Sequence, residues 1–209
     1  MIPAREALQR LREGNRRFVE GLRSLEVLLT HTKRAEMVKG QKPFATILGC
    51  SDSRVPAEMV FDQGLGSLFV IRVAGNIVAP SLVGSVEFAA VNFGTRLVVV
   101  LGHSNCGAIQ ATLDDIESPD GTHSRNVRSI VERIRPAVED LVEAHGQQDR
   151  EALVHHAVRA NIRASANQLR HGSEVLERLG LSDGLLVVGA EYSLETGAVD
   201  FFDGAPRNT

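Results

Sequence analysis

Phe44-Ala45-Thr46-Ile47-Leu48-Gly49-Cys50-Ser51-Asp52-Ser53-Arg54 is the stretch that decides how the chain is read. Its apolar half has the length and β-branched content of a buried strand, and Gly49 closes it where a strand hands over to a loop. A second run of the same kind, Leu97-Val98-Val99-Val100-Leu101-Gly102, leads into His103-Ser104-Asn105-Cys106-Gly107. Two strands therefore each deliver soft ligands at their carboxyl ends, where open α/β sheets place their sites. Cys50, His103 and Cys106 form a Cys₂His set, the ligand trio of a catalytic zinc whose fourth position is open. A single cysteine is more often a small buried apolar residue than a ligand. A histidine and a cysteine with two residues between them, with a second cysteine at a neighbouring strand end, is a zinc signature. Asp52 and Arg54 could form no more than a local ion pair. Their place between a ligand and a helix that Pro56 would start favours a part in the chemistry. The expectation is a zinc enzyme.

Outward from these strands, the chain alternates between strands and helices. On the near side, Pro56 to Phe61 reads as a short helix, and Leu68 to Val73 as a strand followed by the loop Ala74-Gly75-Asn76. Residues 81–92 have the apolar spacing of a buried helix, stopped by Phe93-Gly94. Beyond the second ligand cluster, the spacing predicts helices over 106–116, 127–143 and 150–179. Gly184 to Gly189 follows as a further strand, with a hairpin across Glu195-Thr196-Gly197 and an antiparallel edge strand over 198–202. Ahead of the first strand, Leu8, Leu11, Phe18, Val19 and Leu22 mark an amphipathic helix, with a second over 26–39 ending at Gly40. The order argues an α/β fold: a mostly parallel central sheet with flanking helices, an N-terminal helical arm and one antiparallel edge strand.

Length and composition narrow the rest. A chain of 209 residues, 43% hydrophobic and 23% charged, builds one domain with a full core, residues 1–209 together. A net charge of −3 leaves no basic footprint for nucleic acid and no polybasic patch for a membrane surface. No apolar run approaches a membrane span, and the first residues hold no apolar signal core. Two cysteines in site-like contexts suit thiolates in a reducing compartment, so the expected location is cytoplasmic. Gly64-Leu65-Gly66 lacks the third glycine of a dinucleotide fingerprint and precedes a strand, which leaves turn glycines as the better account. His31, His123, His145, His155, His156 and His171 have no cysteine at ligand spacing and read as surface residues.

With both clusters in view, the chain resembles the β-class carbonic anhydrases. Cys50-Ser51-Asp52-Ser53-Arg54-Val55 is similar to the first signature of that family and His103-Ser104-Asn105-Cys106-Gly107 to its second, the likeness extending to Tyr192-Ser193-Leu194-Glu195-Thr196-Gly197. The resemblance implies reversible hydration of CO₂ to bicarbonate and a proton by zinc-bound hydroxide. Cys50, His103 and Cys106 would hold Zn²⁺, and Asp52 with Arg54 would be the catalytic dyad. Gln41, Phe69, Ala74, Phe88 and Gly107 would line the substrate pocket, with Phe88 where plant-like members carry a tyrosine. It also implies a homodimer or a dimer of dimers, with residues 1–40 as an arm packing on the partner subunit. That implication displaces the intrachain packing that the residues alone would favour. Hydrolysis of carbon disulfide or carbonyl sulfide on the same scaffold is the alternative activity. Some bacterial members bind bicarbonate at a second site built from tryptophan, arginine and tyrosine. Here Arg72 and Tyr192 match two of these, Ile47 replaces the tryptophan, and the chain has no Trp. Without the indole donor such a site would be vestigial.

Overall fold

The computed structural model describes residues 2–22, 24, 37–118, 123–145 and 149–206. Five strands form one sheet: β1 (Ala45–Gly49), β2 (Leu68–Arg72), β3 (Leu97–His103), β4 (Leu186–Tyr192) and β5 (Val199–Asp203). Their order is β2-β1-β3-β4-β5, the first four parallel and β5 antiparallel to β4. Every residue of β1 and β3 is buried, which is why these segments read as unbroken apolar runs rather than alternating ones. Edge strands β2 and β5 are only partly covered. From β1 the chain crosses outward to β2, and from β3 it crosses the opposite way to β4. The carboxyl ends of β1 and β3 therefore flank the point where the winding reverses, and no crossover covers the crevice between them.

The helices are α1 (Ala4–Val19), α2 (Ala57–Val60), α3 (Pro80–Asn92), α4 (Gly107–Glu117), α5 (Arg125–His145), α6 (Arg150–His171) and α7 (Glu174–Ser182). One face of the sheet packs under α3 to α7, through residues such as Val86, Ile109, Leu113, Ile134, Leu153, Ile162 and Leu176. Helix α6 approaches closely: a Cβ on Gly102 would lie 2.6 Å from Ile162 Cδ1. The other face meets α1 and α2. Ala4, Ala7, Leu8 and Leu11 fall on one side of α1 and are buried there with Ile47, Val99 and Val188. Burying each leucine contributes about 2 kcal/mol. Asn15 fastens α1 further: its Nδ2 donates to the Val60 and Gly197 carbonyls, and its Oδ1 accepts from Val199 N. The expected helix over 26–39 lies almost wholly outside the described residues.

The single helix expected over 150–179 is two. Helix α6 ends at His171, and Ser173 caps α7 by accepting from Leu176 N at 3.2 Å. Its hydroxyl also donates to Glu87 at 2.6 Å, tying the break to α3. Ser173→Ala removes a cap and leaves a half-buried carboxylate without its donor. The expected cost is about 1–2 kcal/mol. It should appear as a lower thermal midpoint at fixed protein and metal concentration.

Candidate active site

Cys50 follows the last residue of β1, His103 is the last residue of β3, and Cys106 is the N-cap of α4. Register sets Gly49 beside Leu101, so the two strand ends deliver their ligands side by side. All three side chains are buried, and their ligand atoms lie within 4.8 Å of one another. The two sulfurs are 4.0 Å apart and free. His103 Nδ1 donates to the Ser104 carbonyl at 2.9 Å, which fixes the tautomer and leaves Nε2 bare. That Nε2 is buried without a hydrogen-bond partner. A buried ring nitrogen left unpaired beside two sulfurs costs free energy unless something occupies the space between them. Two thiolates bound at about 2.3 Å to a tetrahedral ion stand about 3.8 Å apart, close to the spacing found. The cluster fits a metal ion.

Its electrostatics agree. The two thiols share one proton: a hydrogen bond from Cys106 pulls Cys50 down to about 4 against burial, while the same contact and burial push Cys106 up. Backbone N–H groups of Asp52 and Gly75 face the Cys50 sulfur, and those of Ala108 and Ile109 face Cys106. Burial disfavours charge on His103, but the adjacent Cys50 thiolate outweighs it and the ring's pKa rises.

Asp52 and Arg54 occupy the turn after Cys50. Arg54 Nε donates to Asp52 Oδ1 at 2.9 Å and Nη2 to Oδ2 at 2.7 Å, a two-donor pair, and the Arg54 backbone N–H adds a third bond. These donors hold the Asp52 carboxyl well below the usual carboxylate range. Asp52 Oδ2 lies 3.9 Å from His103 Nε2. The anion is thus aimed at the edge of the metal cluster while Arg54 holds its other side.

The remaining sequence candidates separate into groups. Phe69 and Phe88 come together with ring centroids 6.2 Å apart, and Phe93 joins both at 5.7 and 5.6 Å. Phe88 is half exposed. Ala74 opens the short 3₁₀ segment after β2, Gly107 starts α4, and Gln41 lies in the exposed stretch ahead of β1. Arg72 and Tyr192 engage different neighbours. Arg72 donates to the carbonyls of Cys50 and Asp52, at 3.0 and 2.5 Å, and so clamps the turn that carries both. Tyr192 is buried with its ring against Phe18 at 6.4 Å, and Ile47 is wholly buried. His155, His156 and His171 are exposed.

Two supporting contacts carry no signal in the sequence. Asn161, buried on α6, donates to the Gly75 carbonyl at 2.8 Å and so holds the residue whose N–H faces Cys50. Gly75 itself has φ 70°, and a Cβ there would meet Ile134 Cδ1 at 2.8 Å. The glycine was legible as a loop residue. Its asparagine partner, more than eighty positions on, was one polar residue among many in a helix.

Comparison with known proteins points one way. The family profile described as carbonic anhydrase matches residues 45–199. Carbonic anhydrase 2 of Mycobacterium tuberculosis is 38% identical over 192 residues, covering 91% of this chain and 89% of that protein. The structure of the β-carbonic anhydrase CcaA superposes with TM-score 0.74 at 28% identity, covering 95% of this chain and 96% of that one. A tetrameric β-carbonic anhydrase from Sordaria macrospora shares the fold, with TM-score 0.71 at 23% identity, covering 81% of this chain and 85% of that one.

Proposed function

The chain belongs to the β-class carbonic anhydrase family, whose general activity is hydration of CO₂, and from that premise we propose that it runs this reaction with one zinc ion held by Cys50, His103 and Cys106. The observation that carries the reading is the buried, unpartnered His103 Nε2 beside two sulfurs, with the Asp52–Arg54 pair at its edge. Bound there, zinc would supply Lewis acidity that brings the pKa of a coordinated water down toward neutrality. Two thiolates would donate more negative charge to the ion than three imidazoles, so the coordinated water would be less acidic than at an all-histidine site.

The protein's own residues do the rest. Asp52 stays ionised at neutral pH because Arg54 saturates its far side, and its Oδ2 accepts a hydrogen bond from the attacking oxygen. That bond turns the oxygen's lone pair away from Asp52 and toward CO₂. Phe69, Phe88, Ala74 and Gly107 would line a small pocket that holds CO₂ against the nucleophile; Phe69 and Phe88 are in ring contact, whereas Gln41 lies ahead of β1, at the strand end opposite Cys50. Arg72 keeps the Cys50–Asp52 turn in register, so displacement of bicarbonate leaves the geometry unchanged. Asp52's folded pKa is depressed, so its pairing is present above the unfolded value of about 3.9 and lost only as pH falls through the folded one. Its ionisation therefore contributes no limb to a rate profile between about pH 5 and 9.

Tyr192 belongs to the core and takes no part in a bicarbonate switch, because its ring is buried against Phe18 and Ile47 supplies no indole donor. Tyr192→Phe should leave the pH profile of CO₂ hydration essentially unchanged, with any effect confined to stability. Sigmoidal bicarbonate inhibition of the wild type, abolished by that change, would reverse the assignment.

The working unit is a homodimer or a dimer of dimers; of the arm expected over 1–40, α1 packs on its own sheet through Leu8 and Leu11, which leaves only its outer surface to a partner. The half-exposed Phe88 and the exposed Val91, Val19 and Leu22 leave apolar surface for such a contact. No helix among the described residues is long and apolar enough to cross a membrane. Two free cysteines suit the reducing cytoplasm. The deciding experiment measures zinc content, light scattering and stopped-flow CO₂ hydration on one sample. One zinc per chain with fast hydration is expected. Sulfide release from carbon disulfide or carbonyl sulfide, without CO₂ hydration, would replace the substrate.

A further inference from the structure

His103 and Cys106 are separated by two residues, and everything about their spacing depends on how Ser104 and Asn105 are held. The turn is tight: Asn105 has φ 56°, a left-handed conformation that a side chain other than glycine adopts at a cost. Ser104 continues the β3–β4 ladder by one rung, its N–H donating to the Tyr192 carbonyl at 3.0 Å. Its carbonyl takes the His103 Nδ1 proton, so the orientation of this one peptide sets the orientation of the ligand ring.

A single carboxylate from the β4–β5 hairpin grips both linking residues. Ser104 Oγ donates to Glu195 Oε2 at 2.9 Å, and Asn105 Nδ2 donates to Glu195 Oε1 at 3.1 Å. Ser193 Oγ donates to the same Oε2 at 3.0 Å, which orients the carboxylate from its own hairpin. Ser104 Oγ in turn accepts from Leu194 N at 3.0 Å, so the two loops are laced in both directions. Glu195 is exposed. Its carboxyl is nevertheless held below the usual range, by its own backbone N–H first and then by Ser104 and Ser193.

We propose that Glu195 is a positioning residue of the metal cluster, fixing the His103–Cys106 separation and ring angle through Ser104 and Asn105. It touches neither substrate nor ligand atoms. The inference rests on the reading that Cys50, His103 and Cys106 hold zinc. Without the carboxylate, Asn105 loses the contact that supports its left-handed backbone and Ser104 loses its acceptor. The ligand loop then samples geometries in which His103 and Cys106 do not face the same ion.

The test is zinc affinity of the full-length protein by competition with a chromophoric chelator, together with the visible spectrum of the cobalt-substituted form. Glu195→Ala is expected to weaken zinc on the order of 10- to 100-fold and to shift the cobalt bands. Glu195→Gln, with one acceptor oxygen left, falls between wild type and Glu195→Ala. Glu177→Ala, a surface glutamate 3.9 Å from His171, is the control and changes neither readout. Wild-type affinity and an unshifted cobalt spectrum in Glu195→Ala would overturn the proposal. Should that variant fail to fold, Ser104→Ala removes one arm of the grip, and unchanged affinity there overturns it equally. A wild-type protein that takes up neither zinc nor cobalt would defeat the metal reading beneath it.

Discussion

Cys50→Ser and Cys106→Ser should each purify with little or no zinc and hydrate CO₂ no faster than buffer. Serine offers a hydroxyl that stays protonated at neutral pH where cysteine offers a thiolate, and zinc loses one of three ligands rather than exchanging it. A loss of affinity on the order of a hundredfold or more follows, because the two remaining donors cannot close the site. The two variants should differ in one respect. Cys106 is the N-cap of α4 without a side-chain capping bond, and serine, a better capping residue, can supply one to the Ala108 or Ile109 N–H that the sulfur faces. The Cys50 sulfur instead faces the N–H of Asp52, on the turn that also carries the dyad, and that of Gly75, in the 3₁₀ segment after β2. Cys106→Ser should therefore keep more of its apo-state thermal stability than Cys50→Ser. Metal analysis after dialysis and stopped-flow assay of the same fractions check both points. Full activity in a chelator-treated, metal-free wild type would end the zinc reading.

What was legible in the sequence follows from which interactions are local. The strands β1 and β3 announce themselves because both of their faces are buried, which leaves no polar position to interrupt the run. The ligands stand at their ends because a parallel α/β sheet opens only there, so spacing and fold pointed to one place. Strand β4 was cut short at Gly189, since a glycine ends a run by local propensity. In the folded sheet Gly189 lies inside β4, with Ile162 of α6 packed where its Cβ would be. The break between α6 and α7 was missed because helical periodicity continues through Gly172-Ser173, and only the bond from Ser173 to Glu87 reveals the second use of that serine. Arg72, Asn161 and Glu195 act through backbone carbonyls and neighbouring loops, contacts that leave no spacing rule in the chain. The Cys50–His103–Cys106 cluster was readable and its scaffolding was not.

Arg54→Ala should retain zinc yet lose CO₂ hydration, by a factor on the order of 10² to 10⁴ in kcat/KM, the range of a positioned acid–base group. Three donors from Arg54 hold Asp52, two from the guanidinium and one from the backbone, and alanine keeps only the last. The carboxylate is then free to turn. Its Oδ2 already stands 3.9 Å from His103 Nε2, so a zinc ion held by the cluster would lie within reach of a released Asp52. A carboxylate taken up as fourth ligand closes the position that water needs, which predicts inactivity with full metal content. The cysteine variants lose both together. Arg54→Lys should recover little, because one ammonium cannot engage both oxygens in the plane of the carboxylate. Asp52→Asn discriminates further: it cannot ligate as an anion and cannot accept as strongly from the nucleophile, so it should be slow without blocking exogenous anions such as azide. Cobalt spectra of the three variants report the fourth ligand directly. Wild-type kcat/KM in zinc-loaded Arg54→Ala would remove Arg54 and Asp52 from the mechanism and leave them a solvent-screened surface ion pair.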